Sequence, residues 1–257
     1  MKTTLLIDAD IVAYKVAAIN QDDFDFGDTG SGRFVNHDRA IRDIDEIIGG
    51  YCATLGTNEV IICLSDPDRN FRKELYAGYK AKRTEIEKPE LLQWAKDYMY
   101  REYRSFVRPR LEADDVMGIL STHPKLIPGR KIIVSEDKDM VTIPGYLYNP
   151  GKPERGVRHI DHMTADRALL YQTIIGDTTD GYPGCPGAGP LSPWACNLLS
   201  AESKAEMWAE VVDCYEYHGL NEQAAILQTR CAHILRSASY NFETRKVKLW
   251  KPSWLAI

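Results

Sequence analysis

Short apolar runs rich in β-branched residues recur along the first 150 positions, and each is followed by polar or turn-forming residues. These runs predict β-strands at residues 4–7, 60–64, 131–134 and 146–148. Between them, apolar side chains recur at helical spacing and predict helices over 38–55, 89–103 and from 112 or 113 to 122. Strands that alternate with helices indicate an α/β fold with a mostly parallel sheet flanked by helices.

The pattern changes near residue 164, after which helical spacing dominates. Helices are predicted over 164–175, 202–218 and 221–237, followed by a short strand in KVKLW. We therefore expect an α/β core over residues 1–175 and a helical subdomain over 176–257. A further segment, DFDFGDTGSGRFV, predicts a hairpin with its turn at Thr29–Gly32.

Composition narrows the class of protein. Apolar residues make up 44% of the chain, which is enough for a sizeable core, and no run of 18 apolar residues occurs. The first residues run directly into a strand and lack a secretory leader, so we expect a cytoplasmic protein with no membrane partner. The six cysteines show no CxxC spacing, which disfavours zinc, and Cys63 and Cys231 are predicted to be buried. Oligomeric state is not predicted by any of these patterns.

Acidic residues recur at five separated places, most of them where a strand ends or a helix begins. They are Asp8 and Asp10, Asp66, then Glu112, Asp114 and Asp115, then Asp137 and Asp139, and finally Asp177 and Asp180. Ligands bind beside the carboxyl ends of parallel strands, and clustered carboxylates there need a cation. All of these acids except Asp10 are predicted to bind metal, with Mg²⁺ or Mn²⁺ as the ion and phosphate chemistry as the reaction.

Each acidic motif also fits an ordinary acidic helix start or a solvated loop when taken alone. Their occurrence together favours the metal site. The net charge of −5 does not exclude a nucleic acid, because without the nine proposed ligands only 28 acids remain against 32 Lys and Arg.

Two other segments have compositions suited to a nucleic acid. FRKELYAGYKAKR interleaves cations with tyrosines, a mixture that binds phosphates and stacks on bases, although it also fits an exposed basic helix. GYPGCPGAGP, residues 181–190, could direct backbone N–H groups at an anion, although it also fits a plain linker. The six histidines flank no acidic motif, so no histidine nucleophile is predicted.

The order of these motifs resembles the 5′-nuclease superfamily, which includes flap endonucleases, the 5′→3′ exonuclease domains of bacterial DNA polymerases and stand-alone bacteriophage exonucleases. The resemblance runs from Asp8 to Gly189 through FRxxLYxxYKxxR, EADD, SxDKD and GDxxDxxPGxPGxG. The sequences of the segments LEADDVMGI, DKDM and GDTTDGYPG are most similar to those of the bacteriophage enzymes.

This resemblance implies a PIN-like core with a helix–three-turn–helix element and two divalent cations that catalyse structure-dependent 5′→3′ cleavage of DNA in phage replication. It implies that Lys80 and Arg83 act on the scissile phosphate and that Tyr79 stacks on the terminal nucleotide. Substrate contacts are further expected from Arg72, Lys82, Gly184, Gly187 and Gly189, with a K⁺ ion at the glycine-rich turn. The DNA partner would carry a 5′ end, nick or flap, and RNA–DNA primer ends are a further candidate substrate.

Two departures from the family pattern stand out. Gly189 is followed by Pro190 and Leu191 where the family usually has a phosphate-binding lysine, so duplex anchoring is expected to differ. Only 28 residues separate Arg83 from Glu112, which leaves little chain for a tall closed arch.

Three alternatives stay open on the sequence. Asp8 and Asp10 in a D-x-D after a strand also fit a small-molecule phosphatase with an aspartyl nucleophile. A non-catalytic DNA-junction-binding relative would keep the fold, but none of the nine acids is missing here. An RNA-cleaving PIN-type nuclease would share the core without needing the glycine-rich turn.

Overall fold

A six-stranded sheet forms the centre of the molecule in the computed structural model, which describes residues 2–25, 27, 31–82 and 87–252. Its strands are β1 (Thr3–Asp8), β4 (Val60–Cys63), β5 (Ser105–Phe106), β6 (Arg130–Val134), β7 (Gly145–Tyr148) and β8 (Val157–Ile160). The order across the sheet is β5-β4-β1-β6-β7-β8. All neighbours are parallel except β7 and β8, so the predicted α/β class and mostly parallel sheet are confirmed.

Both faces of the sheet are buried, and alternate residues of β1 point to opposite faces. Leu5 and Ile7 pack with α1 (Ala9–Ile19), α2 (His37–Leu55) and α4 (Leu92–Glu102). Leu6 packs on the other face with α5 (Ala113–Thr122) and with Leu235, which comes from the far end of the chain. The two layers fix the carboxyl edge of the sheet, where Asp8 ends β1.

From residue 162 onward the chain is mainly helical, as predicted from about residue 164. It contains α6 (His162–Ile175), α7 (Pro193–Ser200), α8 (Lys204–Tyr217) and α9 (Glu222–Ala232), which enclose a core around Trp208. A short ribbon of β9 (Tyr240–Asn241) and β10 (Lys246–Val247) follows. Helix α6 contributes to this core and also to the core under the sheet. The predicted domain boundary at 175/176 stays a prediction.

Several elements differ from the pattern-based prediction. The helices α1, α7 and the short α3 (Phe71–Leu75) were not predicted, nor was the antiparallel strand β8. The helix expected from residue 89 begins at Leu92, because Pro89 and the two residues after it form a turn closed by a bond from Leu92 N to Pro89 O. The helix expected to reach 237 ends at Ala232, where the chain becomes extended and its backbone bonds to other elements.

The predicted hairpin forms from β2 (Gln21–Asp25) and β3 (Ser31–Val35), which pair in antiparallel register. Thr29 and Gly30 of its predicted turn lie outside the described residues, and Ser31 and Gly32 begin β3. Over the described part of the chain, every helix is too short or too polar to cross a lipid bilayer.

Candidate active site

Asp8 lies buried at the carboxyl end of β1 and caps the first turn of α1. Its Oδ1 accepts a bond from Ile11 N at 3.3 Å, and its Oδ2 accepts one from Ser135 Oγ at 2.7 Å. Burial, with smaller contributions from the charges of Asp10 and Asp137, raises the pKa of Asp8 to about 7 although the Ser135 bond lowers it. A carboxylate with these neighbours is destabilised as an anion unless a cation compensates it.

Asp114 lies in the first turn of α5 beside Asp8. Its pKa is well above the ordinary value because burial and the negative charge of Asp8 both disfavour ionisation, and Asp137 adds to this. Glu112, the N-cap of the same helix, behaves differently. Burial raises its pKa, but the charges of Lys80 and Arg72 outweigh burial and bring the pKa to about 2. Glu112 is therefore an anion held by fixed protein cations.

A second group of acids lies on the other side of Asp137. Burial and the charge of Asp137 raise the pKa of Asp139 to about 6, with smaller contributions from Asp177 and Asp180. Asp177 is buried, which raises its pKa, but a bond from Lys138 Nζ at 2.6 Å and two backbone N–H bonds lower the pKa overall. The charge of Asp137 therefore acts on both groups of carboxylates, the one with Asp8 and Asp114 and the one with Asp139.

The structure brings most of the sequence-predicted acids together at the carboxyl edge of the sheet. Those linked by mutual repulsion are Asp8, Glu112, Asp114, Asp137, Asp139, Asp177 and Asp180. Their oxygen donors and their burial against one another fit hard divalent cations, which such a cluster requires for charge balance. The donor set therefore fits the two ions that the resemblance implies.

Asp66 follows β4 and lines a groove beside this cluster. Both of its carboxylate oxygens accept backbone N–H bonds, from Asp68 at 3.1 Å and from Arg110 at 2.6 Å. The carboxylate therefore also orders the loop that enters α5, and its role as a metal ligand stays a prediction.

Arg72 was predicted to bind substrate, but its side chain is only 2% exposed. It makes two parallel bonds of 2.7 Å to Asp115, a third to Glu112, and two more to the carbonyls of Cys231 and His233. No surface of the guanidinium is left for DNA. We therefore reassign Arg72 from substrate contact to a structural residue.

Asp115 is completely buried and is the main partner of Arg72. In addition to the Arg72 bonds, its carboxylate accepts from Leu235 N at 3.0 Å and from Glu112 N at 3.2 Å. These bonds use both oxygens, so we reassign Asp115 from metal ligand to the anion that neutralises Arg72.

Tyr79 was predicted to stack on a terminal nucleotide, but it is 3% exposed. Its hydroxyl donates to Glu112 at 2.9 Å, with Asp180 at 3.1 Å, and its ring stacks on Tyr182. The ring has no free face, so the predicted stacking is wrong, and Tyr79 instead supports the acids.

Lys80 reaches the acid cluster from the segment after α3. Its Nζ bonds to Glu112 and lies 3.6 Å from Asp180 Oδ2, while its backbone N–H donates to Asp180 O at 2.7 Å. The residue adopts φ of 51°, a left-handed conformation unusual for lysine. Lys82 is exposed nearby, and Arg83 lies outside the described residues.

The glycine-rich turn, residues 181–190, joins α6 to α7. Gly184 is buried, and its N–H donates to Gln228 Oε1 at 3.1 Å. The prediction that this amide contacts substrate is therefore wrong. A side chain at Gly184 would also lie 2.3 Å from the backbone nitrogen of Gly176. Gly187 is exposed and Gly189 partly so, and their substrate contacts stay predictions.

A groove of about 840 Å³ runs from the acids along α1 and α4. Lysines and two largely exposed tyrosines line it, namely Lys15, Lys73, Lys80, Lys88, Lys96, Tyr14 and Tyr100. Cations interleaved with aromatic rings suit a single strand of nucleic acid. From the sequence, this mixture was predicted only in residues 71–83, because the other members lie far apart along the chain.

Several polar residues that position the acids were not predicted from the sequence. Ser135 bonds Asp8, Gln172 Nε2 donates to Asp139, and Lys96 pairs with Asp10 at 2.8 Å. Ser135 sits within the SEDKD motif and could have been chosen there. Nothing in the spacing around Gln172 or Lys96 indicates their partners.

Removing divalent ions should make stability fall as pH rises, through Asp8. A carboxyl group with a raised pKa contributes stability below its ordinary pKa of 3.8 and loses that contribution as pH rises to about 7. Buried His233 acts in the opposite direction, because burial lowers its pKa to about 3. The comparison is therefore made with Asp8→Asn, which keeps His233.

In EDTA, the melting temperature of the unmodified protein minus that of Asp8→Asn should decrease as the pH is raised from 5 to 8. Differential scanning fluorimetry measures this difference directly. Added Mg²⁺ should remove most of the difference at pH 8. A difference that is independent of pH would contradict the raised pKa.

Comparison with known proteins identifies the family of the chain. Residues 3–147 match the family model described as 5′-3′ exonuclease, N-terminal resolvase-like domain. An exodeoxyribonuclease of Enterobacteria phage T3 is 29% identical and covers 98% of this chain and 93% of its own. An exonuclease of Escherichia phage T7 is 28% identical, with 98% and 94% covered.

Among solved structures, the flap endonuclease of bacteriophage T5, determined with DNA and metal ions, superposes with a TM-score of 0.55 at 15% identity. The match covers 90% of this chain and 99% of the phage T5 protein. That similarity supports the PIN-like fold. The family model spans more than half of the chain, and the acids that it covers converge on one edge of the sheet. The chain therefore belongs to the 5′–3′ exonuclease family.

Proposed function

We propose that the protein hydrolyses DNA phosphodiester bonds near 5′ ends, nicks or flaps with two Mg²⁺ or Mn²⁺ ions, in phage DNA replication in the cytoplasm of a bacterial host. The observation that carries this proposal is the convergence of seven carboxylates beside a lysine-lined groove. The phosphatase alternative explains only Asp8 and Asp10, and leaves the second acid group and the groove without a role.

The grouping of charges suggests how the ions would be held. Asp8, Asp114 and Asp137 would bind one, and Asp139, Asp177 and Asp180 the other. When bound, the two cations supply Lewis-acid stabilisation of charge at the scissile phosphate. Glu112 keeps Lys80 at the junction of the groove and the acids, where its ammonium would offset negative charge on the phosphoryl oxygens.

The groove would hold the strand that carries the 5′ end. Lys73 and Lys88 would contact phosphates, while Tyr14 and Tyr100 are 49% and 57% exposed and available to stack on bases. On the duplex side, exposed Gly187 and Gly189 would approach the backbone, with a K⁺ ion as the family often has. Lys82 and Arg83 would add charge near the strand.

The decisive test uses duplex, nicked and flapped DNA labelled at either the 5′ or the 3′ end, with an RNA-primed duplex added. Mg²⁺ should release short products from the 5′ end, and EDTA should abolish them. Acyl-phosphate on Asp8, or tight junction binding in EDTA without hydrolysis in Mg²⁺, would instead favour the phosphatase or the non-catalytic alternative. Preference for the RNA strand would favour an RNA-cleaving nuclease.

Replacing Lys80 with methionine should lower the single-turnover cleavage rate by about 100-fold, the equivalent of about 3 kcal/mol, because a preorganised cation near the phosphate is lost. DNA affinity should change less than threefold, since one charge among many in the groove is removed. Rapid-quench kinetics and fluorescence anisotropy measure the two quantities.

Lys82→Met is the matched control, because Lys82 is exposed two residues away. It should leave the chemical step nearly unchanged. Equal losses of rate in the two variants would show that Lys80 acts through general charge only.

A further inference from the structure

A second group of metal-binding side chains lies away from the acids, between the glycine-rich turn and the C-terminal end of α8. Cys185 comes from the turn, while Cys214 and His218 lie four positions apart at the end of the helix, on one face. The ligand atoms of all three lie within 4.8 Å of one another. The two thiols are 1% and 0% exposed, and the imidazole is partly exposed.

The spacing of these atoms agrees with the coordination shell of a small tetrahedral ion. Cys185 Sγ lies 3.6 Å from His218 Nδ1. Two ligands of tetrahedral Zn²⁺, one sulfur and one nitrogen, are separated by about 3.6 Å, as follows from Zn–S and Zn–N bond lengths. This pair therefore already has the separation that one shared ion requires.

The chemistry of the donors is as specific as their spacing. Two sulfurs and one imidazole are soft or borderline ligands that suit Zn²⁺ and not Mg²⁺, Mn²⁺ or K⁺, which take oxygen ligands. We propose that Cys185, Cys214 and His218 form a binding site for a zinc-class divalent cation, with water as the fourth ligand. The ion would tie the glycine-rich turn to α8.

The protons balance in a defined way. Burial raises the pKa of both thiols, that of Cys214 to about 12, so both are protonated before binding and release their protons to solvent. His218 Nδ1 lies 2.7 Å from the carbonyl of Cys214, so that nitrogen carries the ring proton. Coordination through Nδ1 requires this proton to move to Nε2, which faces Gly187. Since two protons leave, affinity should rise by up to about 100-fold per pH unit.

Linear spacing does not reveal this site. The absence of CxxC in the sequence disfavours zinc. Cys185 and Cys214 are separated by 28 residues, yet they lie in one buried cluster because α8 packs against the turn. The proposal is independent of the nuclease reaction.

Cobalt is the probe, because Co²⁺ bound to thiolates gives a near-ultraviolet charge-transfer band that oxygen ligands do not give. Titration of the reduced full-length protein with Co²⁺, in excess Mg²⁺ to occupy the acid cluster, should produce this band with saturation at one equivalent, and Zn²⁺ should abolish it. Cys185→Ser, Cys214→Ser and His218→Ala should each weaken or abolish it. The matched control Cys196→Ser, at an exposed thiol outside the cluster, should retain it.

One further variant and a check of folding test this interpretation. Asp8→Asn, which alters the acid cluster, should keep the band unchanged. His218→Ala changes only a partly exposed side chain, so it tests the site even if the buried cysteine variants fail to fold, and folding is checked by circular dichroism. Absence of a thiolate band in the unmodified protein, or a band that survives in folded His218→Ala at equal affinity, would overturn the proposal.

Discussion

Asp114→Asn should lower cleavage in Mg²⁺ by about 1,000-fold, the equivalent of about 4 kcal/mol, while making the metal-free protein more stable. The loss of rate follows from removing an oxygen ligand beside Asp8 and Asp137, where metal ions supply several kcal/mol of charge stabilisation. The gain in stability follows from the raised pKa of Asp114, since its anion is buried among like charges and asparagine carries no charge. Single-turnover cleavage and melting in EDTA at pH 8 measure the two effects.

Asp115→Asn is a matched control at the adjacent position, and stability should change in the opposite direction. This carboxylate neutralises buried Arg72, so its removal leaves a buried cation with too little negative charge and should cost about 3–5 kcal/mol. If Asp114→Asn also lowered the melting temperature in EDTA, or kept full turnover, the proposed charge balance of the site would be wrong.

The sequence predicts the shared location of the acids well, because this location depends on where each acid lies relative to the end of a strand. Asp8 ends an apolar strand and Asp137 follows another, and the carboxyl ends of parallel strands lie at one edge of the sheet. Residue type together with position relative to the strands therefore predicted a shared location. The difference between Asp114 and Asp115 was not predictable, because it depends on which side of α5 Arg72 occupies.

Arg72→Met should destabilise the protein by about 3–5 kcal/mol, because it leaves Asp115 buried without its cation and removes bonds to two carbonyls. The midpoint of urea unfolding should fall accordingly. At a temperature where the variant is folded, its affinity for DNA in Ca²⁺ or EDTA should be nearly unchanged, since the native guanidinium is enclosed.

The control for charge alone is Lys82→Met, which should leave the urea midpoint unchanged. The double variant Arg72→Met with Asp115→Leu should recover part of the lost stability, because both buried charges are then removed. A normal urea midpoint for Arg72→Met combined with weakened DNA binding would restore the original prediction of a substrate contact.

Arg72 and Tyr79 show why basic and aromatic residues mislead in isolation. The FRKELYAGYKAKR segment has the composition of a nucleic-acid surface, but α3 turns Arg72 inward against carbonyls more than 150 positions away. The same long-range bonds end α9 at Ala232, five residues before the apolar spacing predicts. The helix α1 was missed because its apolar residues follow β1 without a break.

The closure of Arg72 and Asp115 by Cys231, His233 and Leu235 has a consequence for biosynthesis. In a nascent chain of which only the sheet region has left the ribosome, Arg72 and Asp115 would lack the backbone groups that complete their enclosure. The segment that supplies those groups is synthesised after all six strands of the sheet. The nuclease would thus acquire its finished catalytic edge only after the chain beyond the sheet has left the ribosome, which delays cleavage of nucleic acid by partly made molecules.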